Sequence, residues 1–370
     1  ELGDASCPRD GSVLVCDDAR CWQWRPTASM EGERAAHAAA VLDDGRVLVA
    51  GGGGPPEVFD PESMSWSPTG PINGSFVTAA GVLLDDGRVL VVGSTPQDPV
   101  NAEIYDPATE SWSVTGQLAH NRVLPSAVRL SDGRVLVVGG CWLDQRGECS
   151  NPVTQVEVFD PQTESWSAAG SIGEWLWYPG LTLLEDGRVL LTNYYSTRIY
   201  DPAFNTWRQI PGPSLRRHQH APVRLDDGRV MVIGGMFTRR PEFFDPATES
   251  WTCGSAMSEL RRIATATVLS SGLVVVSGGM DRHGAALRTV EIYDPNTRTW
   301  ILADPLTEPR YAHAASLLSD GTVLVTGGTA TPETPNMDEW ERFSAAELLA
   351  APESRVAVRR TPGRRLRPGR

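Results

Sequence analysis

The sequence predicts an all-β fold, a seven-bladed β-propeller, from three features: a hairpin motif that recurs seven times, a turn motif that recurs six times, and an incomplete repeat at each end of the chain. The hairpin motif reads Asp-Gly-Arg-Val-Leu in its clearest copies. Its glycines, spaced 41 to 54 residues apart, are Gly45, Gly87, Gly133, Gly187, Gly228, Gly272 and Gly321. A period in this range is typical of propellers and related arrays, in which no unit can bury its apolar face alone.

One repeat, residues 37–66, predicts a four-stranded antiparallel meander. Residues 37–42 are small and apolar, which suits a strand covered on both sides near a crowded axis. The following Asp-Asp-Gly forms a hairpin turn because glycine adopts positive φ without strain. A second strand ends in Gly51 and Gly52, a third ends in Phe59 and an Asp-Pro turn, and Trp66 lies on the fourth.

The turn motif consists of an aromatic residue, Asp and Pro, with a Trp six residues after the Asp. The six tryptophans are Trp66, Trp112, Trp166, Trp207, Trp251 and Trp300. This spacing places aromatic rings on the two outer strands of each unit, where neighbouring sheets stack. We therefore interpret these tryptophans as packing residues.

The two ends of the chain carry complementary parts of a repeat. Residues 11–25 resemble the last two strands of a unit, and residues 311–328 supply only the first two. Pairing the two halves gives a seventh blade and removes the open edges of the array. We assign residues 1–343 to the propeller and expect a short helix, capped by Ser344, and a disordered Arg-rich tail in residues 344–370.

The His-x-Ala or Arg-x-x-His start, the Asp-Gly hairpin, the Gly-Gly pair and the aromatic-Asp-Pro turn together resemble the kelch repeat over about residues 11–330. The resemblance implies a kelch-type β-propeller. It says little about function, because one fold hosts many activities.

Charge and cysteines narrow the function. All 33 basic residues are Arg, and seven of them lie in residues 355–370. The rest of the chain has 26 arginines against 46 acids, a formal charge of −20, which argues against a nucleic-acid partner. The closely spaced pairs Cys141/Cys149 and Cys16/Cys21 are candidate disulfides, which would place the protein outside the cytoplasm. Buried free thiols in a cytoplasmic protein are the alternative. We expect no membrane span and a monomer.

Alignment of the repeats places five arginines at one equivalent position, at the start of the innermost strand: Arg34, Arg122, Arg217, Arg261 and Arg310. Phe76 and Leu176 occupy this position in the other two repeats. Five guanidinium groups around one mouth of an acidic body favour capture of an anionic small molecule, peptide or protein. The alternative is that each arginine is paired with a neighbouring acid.

Histidines and aromatic residues give further candidates. His37, His220 and His313 share a second equivalent position and are weak candidates for metal ligands, although packing is the more usual role of this histidine. The fourth repeat departs from the pattern and offers a candidate stacking platform of Trp175, Trp177, Tyr178, Tyr194 and Tyr195. Extra packing under a long loop is the alternative for these aromatics.

Catalysis is the rival hypothesis. Copper radical oxidases similar to galactose oxidase also have kelch blades, and Tyr178 resembles their cross-linked Tyr in context. Leu124 and Pro125 stand where the cross-linked Cys is expected, and the last repeat lacks an adjacent Tyr-His pair, so this chemistry does not carry over. His218, His220 and Tyr178 remain candidate acid-base residues for an undetermined reaction.

We predict a binding protein without catalysis that uses no cofactor, with a secreted carbohydrate-binding protein as a third hypothesis. The chain has no Gly-rich phosphate loop, nucleophile elbow or paired metal-ligand motif.

Overall fold

The structure is a computed structural model that describes residues 13–15, 22–93, 101–143, 149–176, 178–331 and 341–351. The described residues contain strands and turns but no helix. They form seven large sheets, of which six have four strands and one has five. We number these blades 1 to 7 in the order of their innermost strands.

The strands are given for each blade from the innermost outward. Blades 1 and 2 consist of Ala38–Val41, Val47–Gly51, Gly54–Asp60 and Ser65–Pro68, and of Ala80–Leu83, Val89–Val92, Ala102–Asp106 and Ser111–Val114. Blades 3 and 4 consist of Ser126–Arg129, Val135–Val138, Gln155–Asp160 and Ser165–Ser171, and of Gly180–Leu183, Val189–Thr192, Thr197–Asp201 and Thr206–Ile210.

The remaining blades follow the same order. Blades 5 and 6 consist of Ala221–Arg224, Val230–Ile233, Glu242–Asp245 and Ser250–Cys253, and of Thr265–Val268, Val274–Ser277, Val290–Asp294 and Thr299–Ala303. Blade 7 consists of Ala314–Leu317, Val323–Thr326, Ala346–Ala350 and Gln23–Pro26.

The blades form a closed ring. Each innermost strand contacts the innermost strands of both neighbouring blades, and that of blade 7 contacts that of blade 1. The predicted seven-bladed propeller is therefore confirmed, and so is its closure between an N-terminal outer strand and C-terminal inner strands.

The division of strands within blade 7 corrects two details of the prediction. The C-terminal part supplies three strands and the N-terminal part supplies one, whereas the sequence suggested two from each. The helix expected after Ser344 is wrong, because Ala346–Ala350 pairs with Val323–Thr326 on one side and Gln23–Pro26 on the other. Strand Val13–Val15 instead lies parallel to Thr299–Ala303 at the outer edge of blade 6. The tail, residues 352–370, lies outside the described residues.

The core lies between adjacent blades. The second strand of every blade is buried along its length, because neighbouring sheets cover both of its faces. All six turn-motif tryptophans pack on the aromatic residue of the adjacent strand, with ring centroids 4.9–5.1 Å apart. Their indole N–H groups donate to the preceding blade or its linker, as Trp207 does to Ala169 O at 3.0 Å. These contacts agree with the packing role that the sequence predicts.

The hairpin motif has a local physical cause. In blade 1, Gly45 has φ of 88° and donates its N–H to Leu42 O, while Leu42 N–H donates to Arg46 O at 2.8 Å. The Asp44 carboxylate accepts from both the backbone and the side chain of Arg46. The motif therefore closes each inner hairpin from within and fixes its register.

One further hairpin lies between the second and third strands of blade 3. Its strands, Cys141–Leu143 and Cys149–Pro152, pair with each other and form a small separate sheet.

The described part of the chain has no helix long and apolar enough to cross a membrane.

Candidate functional site

The two faces of the ring differ. Because strand direction alternates, the Asp-Gly hairpins and the Asp-Pro turns lie on one face, and the Gly-Gly loops and the starts of the innermost strands lie on the other. We call the second face the loop face. The candidate site residues that the structure describes belong to this face or to the central channel that opens on it.

The five equivalent arginines each make the same set of contacts. In blade 5, Arg217 donates to Gly234 O at 3.1 Å, to Arg240 O at 2.7 Å and to the Glu242 carboxylate at 2.6 Å. Glu242 in turn accepts the backbone N–H of Ser214, in the segment that leads into the blade. One guanidinium group therefore ties together the entry segment and the first three strands of its blade.

The same arrangement occurs in four other blades. The ion pairs, with N–O distances of 2.6–2.8 Å, are Arg34–Glu57, Arg122–Glu157, Arg217–Glu242, Arg261–Glu291 and Arg310–Glu347. All five arginines are at most 1% exposed. We call these pairs the arginine clamps.

The clamps correct the prediction of an arginine-lined mouth. The Nη atoms of each clamp arginine already donate to a carboxylate and to carbonyl oxygens, and the guanidinium group is buried, so it presents no exposed donor to a ligand on the loop face. Burial also lowers the pKa of Arg217, against the opposing effect of Glu242. The alternative that each arginine pairs with a neighbouring acid is the correct one.

Blades 2 and 4 replace the clamp by other means. In blade 2, Phe76 takes the arginine position, and Glu103 accepts instead from the backbone and side-chain N–H groups of Asn73. In blade 4, Leu176 takes the arginine position and Arg198 takes the glutamate position. Arg198 there lies 3.3 Å from Glu174, so the charges exchange places.

The three equivalent histidines lie at the seams between blades. Each Nε2 atom contacts a hydroxyl group at the end of a second strand in the preceding blade: His37 with Thr326 at 2.8 Å, His220 with Thr192 at 2.7 Å, and His313 with Ser277 at 3.1 Å. Burial lowers the pKa of His220 and of His313 to about 3 and that of His37 well below its usual range. These imidazoles are therefore neutral at pH 7.

The histidines do not come together as metal ligands. Among the residues that the structure describes, no group of three or more His, Cys, Asp or Glu side chains is placed to hold a metal ion. The weak metal hypothesis for His37, His220 and His313 is therefore not supported by their placement.

A ring of residues surrounds the channel where it opens on the loop face. Six of them, which we call the channel ring, have left-handed backbone conformations with φ of 51–59°: Ala36, Leu124, Tyr178, Gln219, Ile263 and Ala312. This conformation lets Ala36 N–H donate to Ala312 O at 2.7 Å, and Ile263 N–H to Gln219 O at 2.9 Å, across the seams between blades. All of these six residues except Gln219 line an open pocket of about 180 Å³, which touches blades 1, 2, 3, 4, 6 and 7.

Exposed aromatic side chains form a patch on the loop face of blades 4 and 5. The ring of Tyr194 lies 5.0 Å from that of Tyr195 and 6.0 Å from that of Phe237. Tyr195 is 56% exposed and Phe237 is 58% exposed. The guanidinium group of Arg216 lies over the Tyr194 ring at 5.5 Å and is itself exposed. We call these four residues the aromatic patch.

The other predicted aromatics lie elsewhere. Trp175 is partly buried, and its carbonyl oxygen accepts from Asn193. Tyr178 is partly buried in the channel ring, and Trp177 lies outside the described residues. Of the described aromatics of the predicted platform, Tyr194 and Tyr195 lie together, and Phe237 of blade 5 extends this pair.

The hairpin of blade 3 borders the same face. A disulfide joins Cys141 and Cys149, as predicted, with Cα atoms 5.6 Å apart, and Trp142 is exposed on the hairpin. Cys253 is also disulfide-bonded. The predicted Cys16–Cys21 pair lies outside the described residues.

Comparison with known proteins agrees with the repeat and the fold. The model of the kelch motif matches residues 123–172 and 261–307. The protein is a kelch-repeat β-propeller. This kelch propeller also resembles the structure of a fungal alcohol oxidase of the AA5 family in complex with copper, with a TM-score of 0.74 and 19% identity, over 90% of this chain and 77% of the other. At that identity the likeness concerns the fold alone.

Relatives in sequence match the kelch propeller only in part. It is 30% identical to galactose oxidase of Gibberella zeae over 84 residues, 20% of this chain and 12% of the oxidase. It is 29% identical to the kelch-like protein terF of Aspergillus terreus over 30% of this chain and 26% of that protein. An F-box/kelch-repeat protein of Arabidopsis thaliana is 26% identical over 40% of this chain and 39% of its own length. The matches thus span well under two thirds of these relatives.

Sequence reasoning missed the partners of the arginines and two residues of the aromatic patch. The glutamates carried a signal: each lies two residues before the last buried apolar or aromatic residue of a third strand, as in Glu57 and Phe59. The one repeat with Arg at that position, Arg198, is one of the two that lack the inner arginine. Arg216 and Phe237 carried no comparable signal, because the repeat does not define their exposure.

Proposed function

We propose that this kelch propeller is a binding module without catalytic activity, which captures an anionic peptide or protein segment on the loop face of blades 4 and 5. The observation that supports the proposal most directly is the aromatic patch, in which Tyr195 and Phe237 are more than half exposed although they contact Tyr194. Contiguous exposed apolar groups are typical of interaction sites.

The composition of the patch supports a partner with both an apolar and an anionic group. Tyr and Arg are among the residues that contribute most to binding energy at protein interfaces. Arg216 is exposed, unlike the clamp arginines, and its charge is available next to the aromatic rings. Met236, which is 37% exposed, extends the apolar surface beside Phe237.

The environment of the candidate acid-base residues favours binding over catalysis. His220 is buried, contacts Thr192, and its pKa is lowered to about 3, so it is a poor proton carrier near neutral pH. Leu124 lies in the same apolar cluster as Tyr178, at the position where the cross-linked Cys of copper radical oxidases is expected. Leu124 supplies no thiol at that position.

A peptide library displayed on phage tests the proposal. Selection on the whole protein is expected to enrich peptides that contain both an acidic and an apolar or aromatic residue. The selected peptides should bind the Tyr195→Ala/Phe237→Ala variant at least tenfold more weakly, and Arg216→Gln should weaken acidic peptides selectively. The matched control is Phe204→Ala, which removes an aromatic side chain that is 78% exposed on the opposite face.

Three outcomes contradict the proposal. An equal loss of peptide affinity in the Phe204→Ala control would show that the aromatic patch is not the binding site. Binding of oligosaccharides on a glycan array that persists in Arg216→Gln would favour the carbohydrate-binding hypothesis. Turnover of any substrate by the wild-type protein that is lost in His218→Ala or Tyr178→Phe would favour an enzyme.

We also propose an extracytoplasmic location. The Cys141–Cys149 disulfide supports it, since such bonds persist mainly in oxidising compartments. Alkylation of the protein in its native cells, followed by mass spectrometry, should find both thiols protected; reduced thiols would contradict this location.

A further inference from the structure

We propose that Cys253 forms a disulfide bond with Cys7 and that this bond fastens the N-terminal segment, residues 1–26, to the outer edge of the ring. The proposal concerns the closure of the propeller and does not rest on the function proposed for the aromatic patch.

The cysteines of the chain limit the possible partners of Cys253. Cys141 and Cys149 bond to each other, and Cys253 is also disulfide-bonded. The sequence has six cysteines, so the partner of Cys253 is one of the remaining three, Cys7, Cys16 and Cys21. All three belong to the N-terminal segment and lie outside the described residues. The bond therefore joins the outer strand of blade 5 to the beginning of the chain.

The described parts of the N-terminal segment lie along the outer edges of blades 6 and 7. Val13–Val15 runs parallel to the outer strand of blade 6, with Val13 opposite Trp300. Gln23–Pro26 forms the outer strand of blade 7. Traced backward from blade 7, the segment thus passes along blade 6, and blade 5 is the next blade in that direction.

The seam between blades 5 and 6 brings Cys253 close to this path. The carbonyl oxygen of Ser255, two residues after Cys253, accepts from the indole N–H of Trp300 at 2.9 Å, and Ser255 Oγ donates to the turn before that strand at 2.7 Å. The end of the outer strand of blade 5 therefore lies beside the beginning of the outer strand of blade 6, where Val13 is paired. Cys7 precedes Val13 by six residues. Six extended residues span about 20 Å, which is enough to reach blade 5.

The seam between blades 6 and 7 accounts for the other two cysteines. Asp304, just after the outer strand of blade 6, donates its backbone N–H to Trp22 O at 3.3 Å. Val15 pairs with the residue two positions before Asp304. Cys16 directly follows Val15 and Cys21 directly precedes Trp22, so we assign these two cysteines to each other, in agreement with their close spacing. The third N-terminal cysteine then remains for blade 5.

The bond acts on the closure of the ring. The N-terminal segment supplies the outer strand of blade 7 and a fifth strand at the edge of blade 6. The disulfide adds a covalent attachment to blade 5, so that one segment holds three consecutive blades. A disulfide that encloses many residues restricts the unfolded chain strongly, and this one encloses blades 1 to 5.

Formation of the bond oxidises two thiols and makes the closure sensitive to redox conditions. In thiol–disulfide exchange, an oxidant that itself contains a disulfide takes up two electrons and two protons and leaves as two thiols, while the bond between Cys7 and Cys253 forms. An excess of a dithiol reductant reverses the exchange. The N-terminal segment is then held by hydrogen bonds and packing without a covalent bond to blade 5.

Digestion with trypsin without reduction, followed by mass spectrometry, identifies the partner directly. The whole protein is first oxidised with glutathione disulfide, and the remaining thiols are alkylated. Cleavage after Arg9 and Arg20 separates the three N-terminal cysteines into different peptides. A cross-linked pair of the Cys7 and Cys253 peptides is expected. A Cys253 peptide that is linked to either of the other two N-terminal cysteines, or that is alkylated, would overturn the proposal.

Thermal unfolding tests the effect on the ring. Cys7→Ser and Cys253→Ser should lower the melting temperature equally, by about 3 °C or more, and the double variant should lower it no further. Dithiothreitol should abolish the differences between these variants and the wild-type protein, because all of them then lack the bond. The matched control is Cys141→Ser/Cys149→Ser, which removes a disulfide within one hairpin and should keep its full loss of melting temperature on addition of dithiothreitol.

Three results would contradict a role of this bond in ring closure: unchanged melting temperatures in both single variants, unequal effects of the two, or a difference of the expected size that persists in dithiothreitol. If a variant does not fold, the cross-linked peptides of the wild-type protein decide.

Discussion

Replacement of Arg217 by Leu is expected to destabilise the whole protein by about 3–5 kcal/mol, because it leaves the carboxylate of Glu242 buried without its cation. The remaining donor to Glu242 in its entry segment is Ser214 N–H at 2.7 Å. The same change removes the bonds that hold the carbonyl groups of Gly234 and Arg240. Leu is a fair substitute in shape, since Leu176 occupies the equivalent position in blade 4.

The double variant Arg217→Leu/Glu242→Gln separates the charge from the packing. Gln keeps an acceptor for Ser214 N–H but carries no charge, so the double variant should be more stable than Arg217→Leu alone by about 2 kcal/mol or more. Equilibrium unfolding in urea at pH 7.5 measures both differences, provided that the m values agree. Arg216→Leu is the control: it makes the identical substitution at the neighbouring exposed residue and should cost less than about 1 kcal/mol.

Two results would refute this reasoning about the clamps. In the first, Arg217→Leu costs no more than Arg216→Leu. In the second, the effects of Arg217→Leu and Glu242→Gln simply add in the double variant, because independent effects mean that the two side chains do not form an interacting pair.

Three further predictions concern the rest of the ring. As the pH is lowered from 6.5 to about 3, the free energy of unfolding should decrease by about 1.4 kcal/mol per pH unit for each of His220 and His313, because their lowered pKa values mean that the unfolded chain binds more protons. Urea midpoints measured against pH should show a shallower slope in His220→Gln, and an unchanged slope would contradict the assignment. Removal of residues 1–26 takes away the outer strand of blade 7 and should lower the melting temperature by at least about 5 °C, whereas an unchanged value would contradict the closure of the ring. Cys141→Ser/Cys149→Ser should speed hydrogen exchange mainly within residues 141–152, and faster exchange throughout the ring would show a global role for the disulfide.

The fold was predictable because each blade repeats the same local solution. A hairpin closed by its own Asp and Gly, and a Trp packed on a neighbouring aromatic ring, depend on residues close in sequence, and the motifs record them directly. The strand Ala346–Ala350 was missed because Ala, Glu and Leu favour a helix in isolation, and pairing on both sides overrides that preference. Glu347 and Leu349 do follow the spacing of the third strands, so only the repeat as a whole identifies this strand.

The role of the arginines was harder to predict, because position alone does not distinguish a buried cation from an exposed one. An arginine on an acidic body can attract an anionic ligand or neutralise a nearby acid, and the partner decides between the two. Here the partners lie 23 to 37 residues further along the chain. The informative pattern lies in the repeat that has Leu176 at the arginine position. There the glutamate position of the third strand holds Arg198, and the acid is Glu174, so the third strand changes together with the first.

Blade 4 connects the clamp to the candidate site. In the clamped blades, the carbonyl oxygen of the first glycine of the Gly-Gly loop accepts a hydrogen bond from the arginine, as Gly139 O does from Arg122. Several glycines of these loops have no room for a Cβ atom. A Cβ atom added to Gly140 would lie 2.6 Å from Val123 O. With Leu176 in place of the arginine, the loop instead begins with Asn193, whose side chain holds Trp175 O. The next two residues are then free to be tyrosines. The loop of blade 4, which lacks the clamp, thus presents two adjacent aromatic side chains on the loop face. No other fully described loop of this face does so.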